Sequence, residues 1–163
     1  SQNLTLFLLI CLSMVFILLK YWMVIDGYSS KLYKRTGIMK EFRILIVDDE
    51  ENMLKMLKTF FEEKEYKCYT AVNGKEAVEI IESNQIDLVI TDMKMPEMDG
   101  LELLRIIKEK HNDISAVIMT GFAEEYTTTE ALNLGADGYI TKPFRNKELL
   151  LILKRIQQLN QYE

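Results

Sequence analysis

Asp87-Leu88-Val89-Ile90-Thr91-Asp92-Met93-Lys94-Met95-Pro96-Glu97-Met98-Asp99-Gly100 decides how this chain is read. The stretch opens with a short apolar run, β-branched at Val89 and Ile90, which is the pattern of a buried strand. The run stops on a carboxylate, Asp92. A loop containing Pro96 and the turn-forming pair Asp99-Gly100 follows, and a helical pattern begins at Leu101. In a parallel α/β sheet, ligands and chemistry collect just beyond the carboxyl ends of the strands. Asp92 therefore stands where a reactive carboxylate belongs, provided the other strands bring partners to the same edge.

Working outward, strand-like and helix-like runs alternate, the pattern of βαβ units around a parallel sheet. The first strand is Arg43 to Val47, ending in Asp48-Asp49-Glu50, and a helix follows from about Glu51 to Lys64 with Leu54, Leu57 and Phe61 on one face. The second strand is Lys67 to Ala71. Asn73-Gly74 turns into a helix marked by Ala77, Ile80 and Ile81. Beyond the opening stretch, a helix from Leu101 to Lys110 presents Leu103, Leu104 and Ile107. A strand from Ala116 to Met119 then ends in Thr120-Gly121. The fourth helix covers Ala123 to Leu134, with Gly135 as its C-cap. A short strand, Gly138 to Thr141, ends in Lys142-Pro143, and a last helix runs from Asn146 to Leu159. Only four residues follow it, which leaves no room for an output domain.

The formal net charge of -5 is unevenly spread: residues 1–40 carry +4 and the body, 41–163, carries -9. An acidic body argues against direct nucleic-acid binding, because duplex affinity rests on neutralising phosphates with Lys and Arg. Cys11 and Cys68 show no metal or redox spacing, and Cys68 reads as a small buried thiol in a strand. The single histidine, His111, sits among charged residues near a helix end, which excludes multi-histidine metal sites and favours a solvated surface position.

From Leu4 to Ile25 the chain carries one charge, Lys20, over 22 positions. A bilayer needs about 20 such residues in a helix. Tyr21 and Trp22 suit an interfacial belt, and Lys31, Lys34 and Arg35 form a positive flank that would hold the body in the cytoplasm. Residues 1–40 thus read as a hydrophobic, membrane-spanning helix and basic linker. The same sequence also fits a soluble cytoplasmic protein starting at Met39, with the preceding residues an overlong start or a fragment boundary. Both readings stand.

The strand ends deliver Asp48 and Asp49, Asp92, Thr120 and Lys142. Singly, each has a plain explanation: an aspartate caps the next helix, a threonine serves a turn, a lysine is solvated. Together, at correctly ordered strand ends, they point to chemistry. Three carboxylates at one edge repel each other and call for a cation, and hard oxygen donors suit Mg²⁺. A hydroxyl and an ammonium facing that cation would suit phosphoryl oxygens, and Asp92 could then act as nucleophile to form an aspartyl phosphate.

On these residues, 41–160 resemble a response-regulator receiver domain of bacterial two-component signalling. The motifs are Ile46-Val47-Asp48-Asp49, Asp92-Met93-Lys94-Met95-Pro96-Glu97-Met98-Asp99-Gly100, Met119-Thr120-Gly121 and Gly138-Tyr139-Ile140-Thr141-Lys142-Pro143-Phe144. The resemblance is closest to receivers of the single-domain phosphorelay type and those fused to enhancer-binding regulators. It implies a flavodoxin-like, doubly wound α/β fold with five parallel strands in the order 2-1-3-4-5 and five helices. It also implies that Asp92 is the phosphoacceptor and that Asp48, Asp49, Asp92 and the backbone carbonyl of Lys94 hold Mg²⁺. Thr120 and Lys142 would hold the phosphoryl oxygens, and Thr120 and Tyr139 would form a switch read on the helix 4, strand 5 and helix 5 face. Lys94 and Phe122 are positions where the family tunes phosphoryl lifetime, and the Lys142–Pro143 bond is expected to be cis. The donor would be a sensor histidine kinase or histidine phosphotransfer protein and the reader a downstream protein, with no metabolite processed.

Two further expectations come from the residues. Thr127-Thr128-Thr129 lowers the propensity of the fourth helix, each costing up to about 0.7 kcal/mol against alanine, which suits either a mobile element or a solvent face. Met53 and Met56, with Phe144, are candidates for an apolar docking patch, although one of the methionines could simply complete the core. Three other functions compete, one of them a flavodoxin-like binding module, against which no phosphate-cradling loop follows the first strand. An aspartate-nucleophile phosphohydrolase would need an Asp-x-Asp arrangement after the first strand, and Asp48-Asp49-Glu50 does not offer it. A receiver-like interaction module without phosphorylation would not need all five strand-end residues.

Overall fold

A computed structural model describes residues 41–121 and 125–160. The apolar segment 4–25, Cys11 and Phe122 lie outside them. Among the described residues no helix is long and apolar enough to cross a membrane.

The strands are β1 (Arg43–Val47), β2 (Lys67–Ala71), β3 (Leu88–Asp92), β4 (Ser115–Thr120) and β5 (Gly138–Thr141). The helices between and after them are α1 (Glu51–Glu62), α2 (Gly74–Ser83), α3 (Gly100–Lys110), α4 (Glu125–Asn133) and α5 (Asn146–Leu159). The strands form one parallel sheet in the order β2-β1-β3-β4-β5, as expected from the sequence. Side chains alternate across a strand, and the two faces of β1 show what this does. Ile44 and Ile46 pack with Leu54, Leu57 and Phe61 of α1 and Leu149, Leu153 and Ile156 of α5. Leu45 and Val47 pack on the opposite face with Ala77 and Ile81 of α2 and Leu103 and Ile107 of α3. Beside this second cluster, Ala131 of α4 meets Leu104, Ala116 and Ile118. With helices on both faces, β3 and β4 are buried at every residue.

The chain leaves β1 toward β2 and returns on the other side through β3. The crevice at the carboxyl ends of β1 and β3 is therefore the topological switch point, where doubly wound sheets bind ligands.

Helix ends explain the departures from the sequence reading. α1 stops at Glu62, two residues short of the expected Lys64, and the chain reverses through Glu65, whose φ of 65° no helix can carry. α2 is capped by the Asn73 side chain, which accepts from the Glu76 N–H at 2.9 Å. Asn73→Ala should cost about 1 kcal/mol, measured as a shift in the urea midpoint without a change in slope. α3 begins in a capping box, with Asp99 accepting from the Glu102 N–H at 2.8 Å and Glu102 accepting in return from the Asp99 N–H at 3.2 Å.

α4 ends as expected at Gly135, in a Schellman arrangement with φ +93°, where Gly135 N–H donates to Leu132 and Ala136 N–H to Ala131. The following Asp137 accepts from Lys108 Nζ at 2.8 Å and from the Ala116 N–H at 2.7 Å. The far end of α4 is thereby fastened to both α3 and β4.

Candidate functional site

Register places the strand ends side by side. Val47 pairs with Thr91, so Asp48 and Asp92 follow as neighbours; Asp92 pairs with Met119, just before Thr120; and Thr120 pairs with Thr141, just before Lys142. The Lys142 N–H donates to the Thr120 carbonyl at 2.7 Å, and the Lys142–Pro143 bond is cis as expected. The sheet thus brings Asp48, Asp92, Thr120 and Lys142 to one edge.

Lys142 Nζ lies 2.8 Å from Asp48 Oδ2 and 2.6 Å from Asp92 Oδ1. The other carboxylate oxygens are held by backbone: Asp48 Oδ1 accepts from the Glu50 N–H at 2.9 Å, and Asp92 Oδ2 from the Lys94 N–H at 3.1 Å. Asp48 is 1% exposed and Asp92 9%, so neither charge is relieved by bulk water. Two buried carboxylates share one ammonium, which leaves an excess negative charge. Burial pushes the Asp92 carboxyl above its usual pKa; the hydrogen bond and charge of Lys142 oppose this, and Asp48 adds to it. For Lys142, burial works to lower the ammonium pKa, but the hydrogen bonds from Nζ to Asp48 and Asp92 and their charges outweigh it, and the group is held above its usual value.

Asp92 is fixed from below. Gly100 N–H donates to Met93 O at 2.9 Å, Met93 N–H to Met119 O at 2.9 Å, and the Thr91 hydroxyl to Asp92 O at 3.0 Å. A Cβ on Gly100 would stand 2.2 Å from the Asp92 carbonyl oxygen. Helix α3 can approach the end of β3 this closely only because residue 100 has no side chain.

Asp49 is exposed beside Asp48. Among the described residues, no three His, Cys, Asp or Glu side chains converge into a ready-made metal cage. Mg²⁺ does not require one, since one or two carboxylates plus water and substrate oxygens hold it. The donor chemistry fits: oxygen donors only, surplus negative charge, and Asp48 and Asp92 already converging on a cationic centre.

Thr120 is buried, and its hydroxyl donates to Gly121 O at 3.1 Å. Tyr139, in the edge strand β5, is 46% exposed. Met53 and Phe144 are partly buried against the core, whereas Met56 is 43% exposed. Of the three docking candidates, Met53 is thus the methionine that completes the core. Met56 lines an open surface depression of about 460 Å³ with Lys55, Thr59, Phe60, Glu63 and Asn146. Cys68 is half-buried, and burial above all pushes its thiol up to about 12, so it is the inert strand thiol that the sequence suggests.

Comparison with known proteins now has a site to refer to. Residues 44–154 match the family described as the response regulator receiver domain. The chain belongs to the response regulator receiver family. The receiver is 39% identical over 113 residues to the response regulator SaeR of Staphylococcus aureus, covering 69% of this chain and 49% of the relative. It therefore spans about half the length of the curated relatives it matches. Among solved structures it resembles a response regulator receiver domain protein from Clostridium thermocellum, with TM-score 0.71 and 31% identity over 74% of this chain and 98% of the other. It also resembles the chemotaxis response regulator CheY4 of Vibrio cholerae, with TM-score 0.67 and 26% identity over 72% and 99%.

Proposed function

We propose that this receiver takes a phosphoryl group onto Asp92 from a phosphohistidine donor, with Mg²⁺, and presents an altered α4–β5–α5 face to a downstream protein. The observation that carries this is the Lys142 ammonium, seated between Asp48 and Asp92 at the switch point of the sheet. A carboxylate oxygen of Asp92 attacks phosphorus; the new O–P bond forms as the donor's N–P bond breaks, and the imidazole leaves and takes up a proton. Lys142 pairs with the phosphoryl oxygens it meets there, and the Thr120 hydroxyl turns from Gly121 to donate to one of them. Asp48, Asp49, Asp92 and the Lys94 carbonyl would hold Mg²⁺, which, when bound, supplies neutralising charge at the transferred group. With Thr120 drawn inward, Tyr139 gains room to leave its exposed position. Sensor histidine kinases and histidine phosphotransfer proteins carry donors of this chemistry.

The test is incubation with acetyl phosphate with and without Mg²⁺, followed by intact mass and peptide mapping. One phosphoryl group on the peptide containing Asp92, only with Mg²⁺, is the expected result. Labelling elsewhere, or labelling indifferent to Mg²⁺, would overturn the proposal.

Partner docking is proposed on the exposed side of α1, where Met56 and Asn146 at the start of α5 line one depression. Met56→Lys should slow transfer from a phosphohistidine donor about tenfold, as expected when a hot spot is lost. The acetyl phosphate rate should stay unchanged, and stopped-flow comparison of the two donors checks it.

A further inference from the structure

The loop that carries Lys94 is gripped from a side that plays no part in the chemistry above. At its far end, the Met98 carbonyl accepts from the Gly74 N–H at 3.3 Å, so the loop satisfies one of the unpaired N–H groups that open α2. The Met98 side chain lies directly over Gly74. A Cβ at residue 74 would meet Met98 Cγ at 2.6 Å and Sδ at 2.8 Å. Next to this contact, Lys75 Nζ pairs with Glu97 at 3.1 Å, and Glu97 holds a φ of 68°, a left-handed conformation that non-glycine residues adopt at a cost. At its near end the loop donates the Lys94 N–H to Asp92. The segment from Met93 to Asp99 is thus stretched between the carboxylate at one end and the opening of α2 at the other.

We infer that Gly74 and Met98 are positioning residues: the seat of Met98 on the glycine that opens α2 sets where Lys94 stands, and through it the affinity of the Asp48–Asp92 site for Mg²⁺. The inference rests on the proposed function and extends it to residues that touch neither metal nor phosphoryl group. The exposed Lys75–Glu97 pair contributes little by itself, being 62% and 54% exposed. The contact between Met98 and Gly74 carries no charge, so it acts on the site only through the position of the loop.

The experiment titrates Mg²⁺ alone against the full chain and obtains the half-saturating concentration, the dissociation constant, by fitting the logarithmic rise of melting temperature with Mg²⁺. Met98→Ala should raise that concentration about threefold, and Gly74→Ala, which forces Met98 off its seat, about tenfold. The double variant should fall between the two single variants, because the added methyl no longer meets Met98 Cγ and Sδ but still stands 2.9 Å from the Cβ that alanine keeps at residue 98. None of the three alters charge. A role confined to stabilising α2 would lower the metal-free melting temperature and leave the Mg²⁺ midpoint unmoved; that result would overturn the inference. Met98 is partly buried at the edge of the core rather than within it, so Met98→Ala should still fold and decides the matter even if Gly74→Ala fails to fold. Should the wild type show no Mg²⁺ response, the proposed function falls. Should the wild type respond and Met98→Ala match it, only the positioning role falls.

Discussion

Asp92→Asn is expected to abolish labelling by acetyl phosphate and, in Mg²⁺-free buffer at neutral pH, to raise the melting temperature by a few degrees. The first effect is loss of the nucleophile; an amide oxygen cannot replace a carboxylate there. The second follows from the charges around it. Burial raises the Asp92 carboxyl pKa beyond what Lys142 lowers it, and Asp48 adds to the rise. A carboxyl whose native pKa exceeds its unfolded one makes the folded state the better proton binder. Its contribution is most favourable on the acid side. It declines as pH rises from the unfolded value of about 3.9 through the raised native value, and the loss is constant above that. At neutral pH the ionised Asp92 is therefore a liability, and the asparagine variant, whose Oδ1 still accepts from Lys142, is relieved of it. The stability gap should close as the solution is acidified and the wild-type carboxyl takes up its proton. Saturating Mg²⁺ should narrow the gap from the other direction by stabilising the wild type more. Chemical denaturation at several pH values, each with and without Mg²⁺, measures all of this. A variant less stable than wild type at neutral pH would show that Asp92 is held mainly for its pairing with Lys142.

Gly100→Ala is expected to destabilise the domain by about 3 kcal/mol, at the upper end of the range for overpacking, and to reduce acetyl phosphate labelling more than tenfold. The reason is what the new methyl would meet. The Asp92 carbonyl oxygen at 2.2 Å, the Met93 Cα at 3.0 Å and the Asp92 carbonyl carbon at 3.1 Å are all backbone, and none can rotate aside. Relief requires moving either α3 or the end of β3, and the second shifts the reactive carboxylate itself. Gly74→Ala offers the contrast, because two of the three atoms met there, Met98 Cγ and Sδ, can turn aside and only its Cβ, at 2.9 Å, is fixed to the backbone. Its stability cost should be well below that of Gly100→Ala, although both glycines open helices. Urea denaturation of the two variants compares the costs directly.

The main frame was legible because its signals are local. Apolar runs such as Ile44-Leu45-Ile46-Val47 have the length of buried strands, and each ends on a polar residue whose type suits the crevice. Asp48, Asp92, Thr120 and Lys142 could be named for the same reason: a strand end is visible in one sequence, and parallel register does the rest. What stayed hidden depends on contacts between distant residues. Asp99-Gly100 announces a turn, but nothing in it says that the Gly100 Cα abuts the backbone of residue 92. No pattern joins Gly74 to Met98, and the left-handed Glu97 has no marker of the kind that glycine or asparagine would give. Exposure was equally out of reach. Met53 and Met56 both lie off the main apolar stripe of α1, yet one is packed and the other stands in solvent. Tyr139 in β5 faces outward for a similar reason, since the covering of an edge strand is decided by which helices pack there.

The fastening of α4 at Gly135 and Asp137 has a mechanical consequence. A rod secured at one end can swing only from the other. Lys108 and the Ala116 N–H hold the turn beyond Asn133, and Arg105 pairs with Glu130 at 2.8 Å, so in the proposed switch displacement is expected to grow along the helix toward Glu125, the end nearest Thr120. A small change beside Thr120 therefore acts at the tip of the lever, where least force is needed. In that proposed switch, a reader gripping the helix near Glu125 would sense the largest stroke, and one gripping it near Asn133 the smallest.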